Sequence, residues 1–469
     1  MKIFKAAYYL LIYFVLSTSA YAASHYIRAG ASGANNGSDW TNAWTVLPST
    51  LTRGDTYYIA DGSYGGYVFD DADSGSTWIY IKKATASVHG TETGWDSSYG
   101  DGQAVFTAQI EFKTNYLEID GVTGGGPGSW DTGHGIKVIT NPTISDAKNF
   151  LFYASGKGNY INLKHIEATK THIPSESDPD AYWGDPIIYN QAGASNVTVS
   201  YCWLHTTPRG ITWNNGSNWT FEYNKIGDNY GTGPMHSDIY GVLGGSNITL
   251  RYNYIYQWRS TGAIYCLGTS DIPIDDVKIY GNIFAGSNTN DGWFTIACGN
   301  EVSRPYATNW KIYNNTFINL RSGTFLAAFR TGSGNDLKNN IFWYPSGTGP
   351  RKVEMQAPNA SGIPYYPKSV TNDYNWYATT AGDPYYSSYG ESNGINGGSI
   401  NPFVNSSSSN FHLSLSISGL PISSPYNQDM DRVIRGSDAA YDRGAFEYIG
   451  GNSSLVSLEP MPPGNLSIR

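Results

Sequence analysis

Charge is scarce in this sequence: Asp, Glu, Lys and Arg together make up 14% of the residues, with a net charge of −9. A chain this poor in cations, and negative overall, lacks the basic surface that a nucleic-acid partner requires. Cysteine is nearly absent. Three residues, Cys202, Cys266 and Cys298, form an odd set without tight spacing, which is neither a disulfide framework nor a zinc site. They read as small buried side chains. Beyond the first two dozen residues no apolar run is long enough to cross a bilayer, so no transmembrane span is expected. What the chain has in abundance is glycine, 54 residues, and tyrosine, 38 residues, with many Asn, Ser and Thr. That composition suits a β-rich chain with many turns.

A repeat organises it. Asn196-Val-Thr-Val-Ser-Tyr-Cys202-Trp-Leu, Asn218-Trp-Thr-Phe-Glu-Tyr-Asn224-Lys-Ile, Asn247-Ile-Thr-Leu-Arg-Tyr-Asn253-Tyr-Ile, Asp276-Val-Lys-Ile-Tyr-Gly-Asn282-Ile-Phe and Asn309-Trp-Lys-Ile-Tyr-Asn-Asn315-Thr-Phe follow one template, with a weaker copy ending at Asn340-Ile341-Phe342. Apolar and polar residues alternate, the mark of a short strand with one buried face. The turn asparagines Asn224, Asn253, Asn282, Asn315, Asn340 and Asn375 recur at roughly 22 to 35 residues, the period of a solenoid. No copy contains a helical segment. Stacked coils of short strands, an all-β parallel β-helix, satisfy this pattern, with the asparagines forming a hydrogen-bonded ladder at one turn.

The segment 1–22, with Lys2, Lys5, the apolar run Tyr8 to Leu16 and the small-residue end Ala20-Tyr21-Ala22, reads as a signal peptide. Residues 23–449 are expected to form one β-helix domain: a capping segment over about 24–55, coils over about 56–400, and a closing segment over about 401–449. Ala43, Trp44, Val46, Leu47 and Leu51 recur at roughly helical spacing, which suits a cover for the open end of the core. The polar, Pro/Gly-rich stretch 450–469 reads as a disordered tail. Thr169 to Gly184 reads as a loop leaving the solenoid.

The opening His25-Tyr-Ile-Arg, the Gly/Asn loop leading to Asp39-Trp40, and Gly54-Asp55-Thr56 resemble secreted right-handed parallel β-helix proteins of the pectate-lyase-like superfamily. The ending resembles them too, in Asn401-Pro402-Phe403-Val404, Asn410-Phe411-His412-Leu413 and Asp442-Arg443-Gly444-Ala445-Phe446-Glu447. The resemblance implies a right-handed solenoid acting on an extracellular polysaccharide. No family catalytic motif transfers residue by residue. Gly133-His134-Gly135-Ile136-Lys137 is faintly similar to part of the polygalacturonase pattern, but the companion elements are missing, as is the Asp-Pro-His signature of alginate epimerases.

Candidate site residues come from the strand preceding each template. With Ile136, Ile188, Ile211, Ile239, Ile264 and Phe294 inward, alternation sends Lys137, Tyr189, Thr212, Tyr240, Tyr265 and Thr295 outward in one row. At the turns beside it stand His134, Asp185, Arg209, His236, Asp238, Arg259, Asp291 and Arg321, with Trp213 and Trp293 as further sugar-facing rings. Tyrosines and tryptophans offer flat faces to sugars, and arginines offer forked donors to uronate carboxylates. Arg209, Arg259, His236, Asp238 and Tyr240 are the candidate catalytic set for β-elimination; hydrolysis through Asp238 with Asp291 or Asp185, or binding without catalysis, are the alternatives. No cofactor is required by the pattern, although Asp70-Asp71-Ala72-Asp73 is a candidate calcium turn. The chain is expected to act as a monomer.

Overall fold

The computed structural model describes residues 22–140, 152–154, 157–171, 186–190, 192–207, 210–229, 238–259, 261–266, 273–287, 292, 294–298, 306–320, 325–329, 332–345, 370–379 and 391–450. The segment 1–21, read above as a signal peptide, the body of the Thr169–Gly184 loop and the stretch after Gly450 lie outside them. The described strands form three parallel sheets of 13, 12 and 9 strands, here A, B and C, and one antiparallel pair, Phe403–Asn405 with Asn410–Leu413. The chain visits the three long sheets in rotation. Val197–Ser200 lies in A, Trp203–Thr207 in B and Thr212–Asn214 in C, and Trp219–Glu222 then returns to A beside the first. This is a right-handed parallel β-helix, and no described helix is long and apolar enough to cross a membrane.

Each strand turns alternate residues inward. In sheet A, Leu117, Ile161, Val197, Trp219, Ile248 and Val277 stand in register and are fully buried. Such side chains contribute on the order of 1.5–3 kcal/mol each, so the core is an uninterrupted column along the solenoid axis.

The A-to-B corner is held by the asparagines. Asn224, Asn253, Asn282, Asn315, Asn340 and Asn375 are completely buried. Each backbone N–H from Asn224 to Asn340 donates to the side-chain oxygen of the next ladder residue at 2.9–3.0 Å. Each side-chain amide also donates to a sheet A carbonyl one coil back, as Asn282 does to Leu250 at 2.9 Å. The column ends on Glu391, whose carboxylate accepts from the Asn375 backbone and amide. The residue before each rung adopts the left-handed conformation, including Tyr201 (φ 56°), Tyr223 (φ 56°) and Tyr252 (φ 58°). Non-glycine residues there pay about 1–2 kcal/mol, opposed here by ring stacking at 5.1–5.2 Å centroid spacing from His165 through Tyr252.

Two expectations change. No helix forms over 42–51: Trp44 bridges to Ile27, and Leu47 and Leu51 join the main core while Val46 stays exposed. The apolar spacing serves a loop folded against strand Ser24–Ile27, not a helix. Cys266 and Cys298 form a disulfide between neighbouring sheet C strands, Gly262–Cys266 and Phe294–Cys298, while Cys202 remains a buried thiol. Coil stacking brings together two cysteines that sequence spacing alone leaves unconnected.

The closing segment runs along the A-to-B corner as a strap. Asn339 Nδ2 donates to the Leu420 carbonyl, Asn314 Nδ2 to that of Tyr426, and Tyr252 Oη to that of Gln428, while Arg432 reaches the Tyr201 hydroxyl. Strap and solenoid therefore run in opposite directions.

Candidate functional site

The connections from sheet B to sheet C in successive coils fall at one corner of the solenoid. Thr207 ends a B strand and Thr212 begins the next C strand, so Arg209 lies between them; His236 and Asp238 lie between Lys225–Asn229 and Tyr240–Val242. Arg259 falls between Tyr254–Tyr256 and Gly262–Cys266, Asp291 and Trp293 between Ile283–Ala285 and Phe294–Cys298, and Arg321 between Thr316–Ile318 and Phe325–Phe329. Asp185 precedes Ile188–Asn190 in the same way. Chain order thus assigns these candidates to equivalent connections of successive coils. Asp185, Arg209, His236, Asp291, Trp293 and Arg321 themselves lie outside the described residues.

Of those described, Asp238 is fully buried, its Oδ1 accepting from the Gly262 N–H at 3.1 Å and its carbonyl from the Ile211 N–H at 2.9 Å. It ties one strand entrance to the next. Arg259 is half-buried, and its backbone N–H donates to Asn229 Oδ1 at 2.8 Å.

The outward row of sheet C differs from the expectation by one residue in two coils. Tyr189 pairs with Trp213, then Gly241, Tyr265 and Ala297, whereas Ile188, Thr212, Tyr240 and Ile264 stand together on the inner side. Ile211 and Ile239 are buried at the corner itself, so the residue after each also enters the core. Tyr240 is therefore removed from the candidate catalytic set. It is 1% exposed, edge-on to Phe221, and its hydroxyl accepts from Asn214 Nδ2 at 2.8 Å, whose Oδ1 accepts in turn from Asn190. Burial raises its pKa far above the ordinary phenol value, which rules it out as a base at neutral pH. Thr212 and Thr295 are likewise buried. Trp213 and Tyr265 do sit in the outward row, in a cluster with Tyr189, Leu243 and Phe294, yet they are themselves largely covered. Tyr189 and Phe294 are the partly open rings.

His134 and Lys137 leave this corner altogether. Ile136–Thr140 is a sheet B strand, between Ala104–Phe106 and Ile166–Lys170. There Lys137 Nζ meets Glu167 Oε1 at 2.6 Å, Gln103 Nε2 donates to Glu167 Oε2 at 3.2 Å and to the His134 carbonyl at 2.8 Å, and His205 Nε2 lies 3.4 Å from Glu167 Oε1 without hydrogen-bond alignment. Burial works against the Glu167 carboxylate, but contacts from His205, Lys137 and Gln103 outweigh it and hold the group at about 2. Burial also lowers His134 to about 4, keeping the ring neutral. The His205 ring stacks on Trp203 at 3.6 Å. Gln103, Glu167, Trp203 and His205 escape the sequence reading because they lie on or beside sheet B strands, outside the strands that enter each template. The strands leaving the asparagine turn carry this cluster.

Neither acidic cluster offers a cation an open set of ligands. Asp73 accepts from Lys157, Arg53 and Asn115, and Asp71 from the Leu51 N–H, so the proposed calcium turn is a pinned loop. Asp438, Asp442 and Glu447 converge, but Ser416 and the Ile417 and Tyr448 backbone N–H groups engage Asp442 Oδ1 and Oδ2, while Gly436, Asp442 and Arg435 engage Glu447.

No protein-family model and no curated protein matches the chain. Among solved structures it is similar to a PL6-family polysaccharide lyase from Pseudopedobacter saltans, at 13% identity over 71% of this chain and 90% of that one, with a TM-score of 0.39. It is also similar to a PL6 alginate lyase in complex with a trisaccharide, at 12% identity over 86% of this chain and 92% of that one, with a TM-score of 0.35. At such identities no residue here is matched to a residue of either lyase.

Proposed function

We propose that the protein is an exported polysaccharide lyase that cleaves a uronate-containing glycan by β-elimination at the corner between sheets B and C. The observation that supports this reading is topological: Arg209, His236, Arg259 and Arg321, drawn from a chain poor in charge, all belong by chain order to the connections entering sheet C, the sheet whose outer cluster includes Tyr189 and Phe294. Arginines there would neutralise the uronate carboxylate, making the neighbouring carbon acid easier to deprotonate. His236 would remove that proton as the glycosidic oxygen departs, leaving a carbon–carbon double bond in the new chain end. Asp238, buried and bonded to the next coil, acts as a positioning residue. That removes one carboxylate from the hydrolytic alternative, which needs two facing the scissile bond.

The test is incubation with acidic polysaccharides, with and without calcium, following ultraviolet absorbance and reducing ends together. Both should rise, and His236→Ala should lower the rate by at least a hundredfold. New ends without absorbance would replace elimination by hydrolysis, and unchanged turnover in His236→Ala would remove that residue from the chemistry.

A further inference from the structure

The cluster on sheet B faces an open cleft of about 760 Å³, on the other edge of that sheet from the corner just described. Its walls are two successive A-to-B connections, 84–103 and 121–135, which contribute Ser87, Asp101, Gln103, Thr132 and His134, with Glu167 from the sheet. This volume is that of a small-ligand site.

The second connection is anchored firmly. Asp131 pairs with Lys225, whose ammonium lies over the Trp203, Tyr254 and Tyr256 rings, and Trp130 packs on Tyr254. At Gly125 the backbone approaches so closely that an added Cβ would sit 2.0 Å from the Tyr201 carbonyl oxygen. The wall is therefore formed before any ligand arrives.

Within it, His134 is 2% exposed and its Nε2 has no partner, while the ring interacts with the Tyr201 backbone carbonyl as a donor. Nε2 is thus a buried polar atom of a cleft-lining residue, and such a group left unpaired costs about 1–3 kcal/mol. Glu167 supplies a carboxylate held ionised by Lys137 on Oε1 and Gln103 on Oε2, each oxygen with lone-pair capacity remaining. The cations beside them are already committed, Lys83 to Asp61 and the Ala84 carbonyl, Lys137 to Glu167. Acceptors, hydroxyls and paired cations do not suit a carboxylate ligand. They suit a ligand that brings hydroxyl protons.

We propose that this cleft is a second carbohydrate site, separate from the sheet C corner, in which His134 Nε2 and the Glu167 carboxylate accept hydroxyl protons from a neutral sugar ring. It does not depend on the lyase reading.

The experiment is calorimetric titration of the full mature chain with cellotriose, mannotriose, galactotriose and trigalacturonate. At least one neutral trisaccharide should bind saturably. His134→Phe should weaken that binding at least tenfold, and Ser87→Trp, a bulky change at an exposed wall position, should do the same without disturbing the fold. Val404→Ala, an exposed change on the antiparallel pair, should leave it unchanged. If His134→Phe does not fold, Ser87→Trp decides alone. No saturable binding by any neutral trisaccharide, binding that survives Ser87→Trp, or Ser87-sensitive binding of trigalacturonate in place of the neutral sugars would each overturn the proposal. None of these outcomes bears on whether the corner eliminates uronate.

Discussion

Cys202 occupies the first rung of the asparagine ladder, and its sulfur reproduces the amide's bonding in reduced form. Its backbone N–H donates to Asn224 Oδ1 at 2.8 Å, its Sγ faces the Leu163 and Ser200 carbonyls, and the Ile166 N–H points at the sulfur. Burial raises the thiol to about 12, so it does not form a reactive thiolate. Cys202→Asn should accordingly be neutral or stabilising in thermal melts, since a stronger donor and acceptor replace weak ones. Asn282→Ala should do the opposite. It strands the Asn253 N–H and amide and the Leu250 carbonyl, and should destabilise by about 3 kcal/mol in denaturant titration. A loss below about 0.5 kcal/mol would show that the ladder decorates the corner without holding it.

At the scale of strands and turns, the Cys266–Cys298 bridge joins adjacent rungs of sheet C across 32 residues of sequence. By chain entropy such a closure stabilises by about 3–4 kcal/mol, so Cys266→Ser should lower the melting temperature by several degrees, and reducing agent should shift the parent but not the variant. How much of these elements the sequence disclosed follows from how local their cause is. The asparagine rungs were legible because each sits at a fixed offset inside its own strand–turn unit. The sheet C register was not, because corner residues Ile211 and Ile239 add a buried position that strict alternation does not allow for. The sheet assignment of Ile136–Thr140 was hidden by variable coil length: the connection 121–135 separates it from its own sheet A strand. The disulfide left one faint trace, the triplets Ile264-Tyr265-Cys266 and Ile296-Ala297-Cys298 in matching strands. Of the candidate site, chain order alone assigns the charged residues to equivalent connections, while the sheet B cluster, assembled from four successive coils, has no sequence neighbours to announce it.

For the molecule as a whole, the strap governs cohesion. Its own interior holds buried acids: Asp442 is raised by burial, Asp429 to about 6 and Glu447 to about 7, with Arg435 as the buried cation beside Glu447. Carboxylates with folded values above their unfolded values of about 4 bind protons more tightly when folded. The stability they lend is present at acidic pH and lost as pH rises through about 4 to 7. Hydrogen exchange over residues 417–448 should therefore speed up between pH 5 and pH 8, after correction for intrinsic rates; exchange that slows would reverse the sign. A stack of coils with nearest-neighbour contacts alone frays from either end and can form while it is being made. Here the Arg432–Tyr201 bond spans 231 residues. The middle coils therefore wait for residues 420–432 before their tyrosine column is covered, and a ribosome that still holds those residues also holds back completion of the centre.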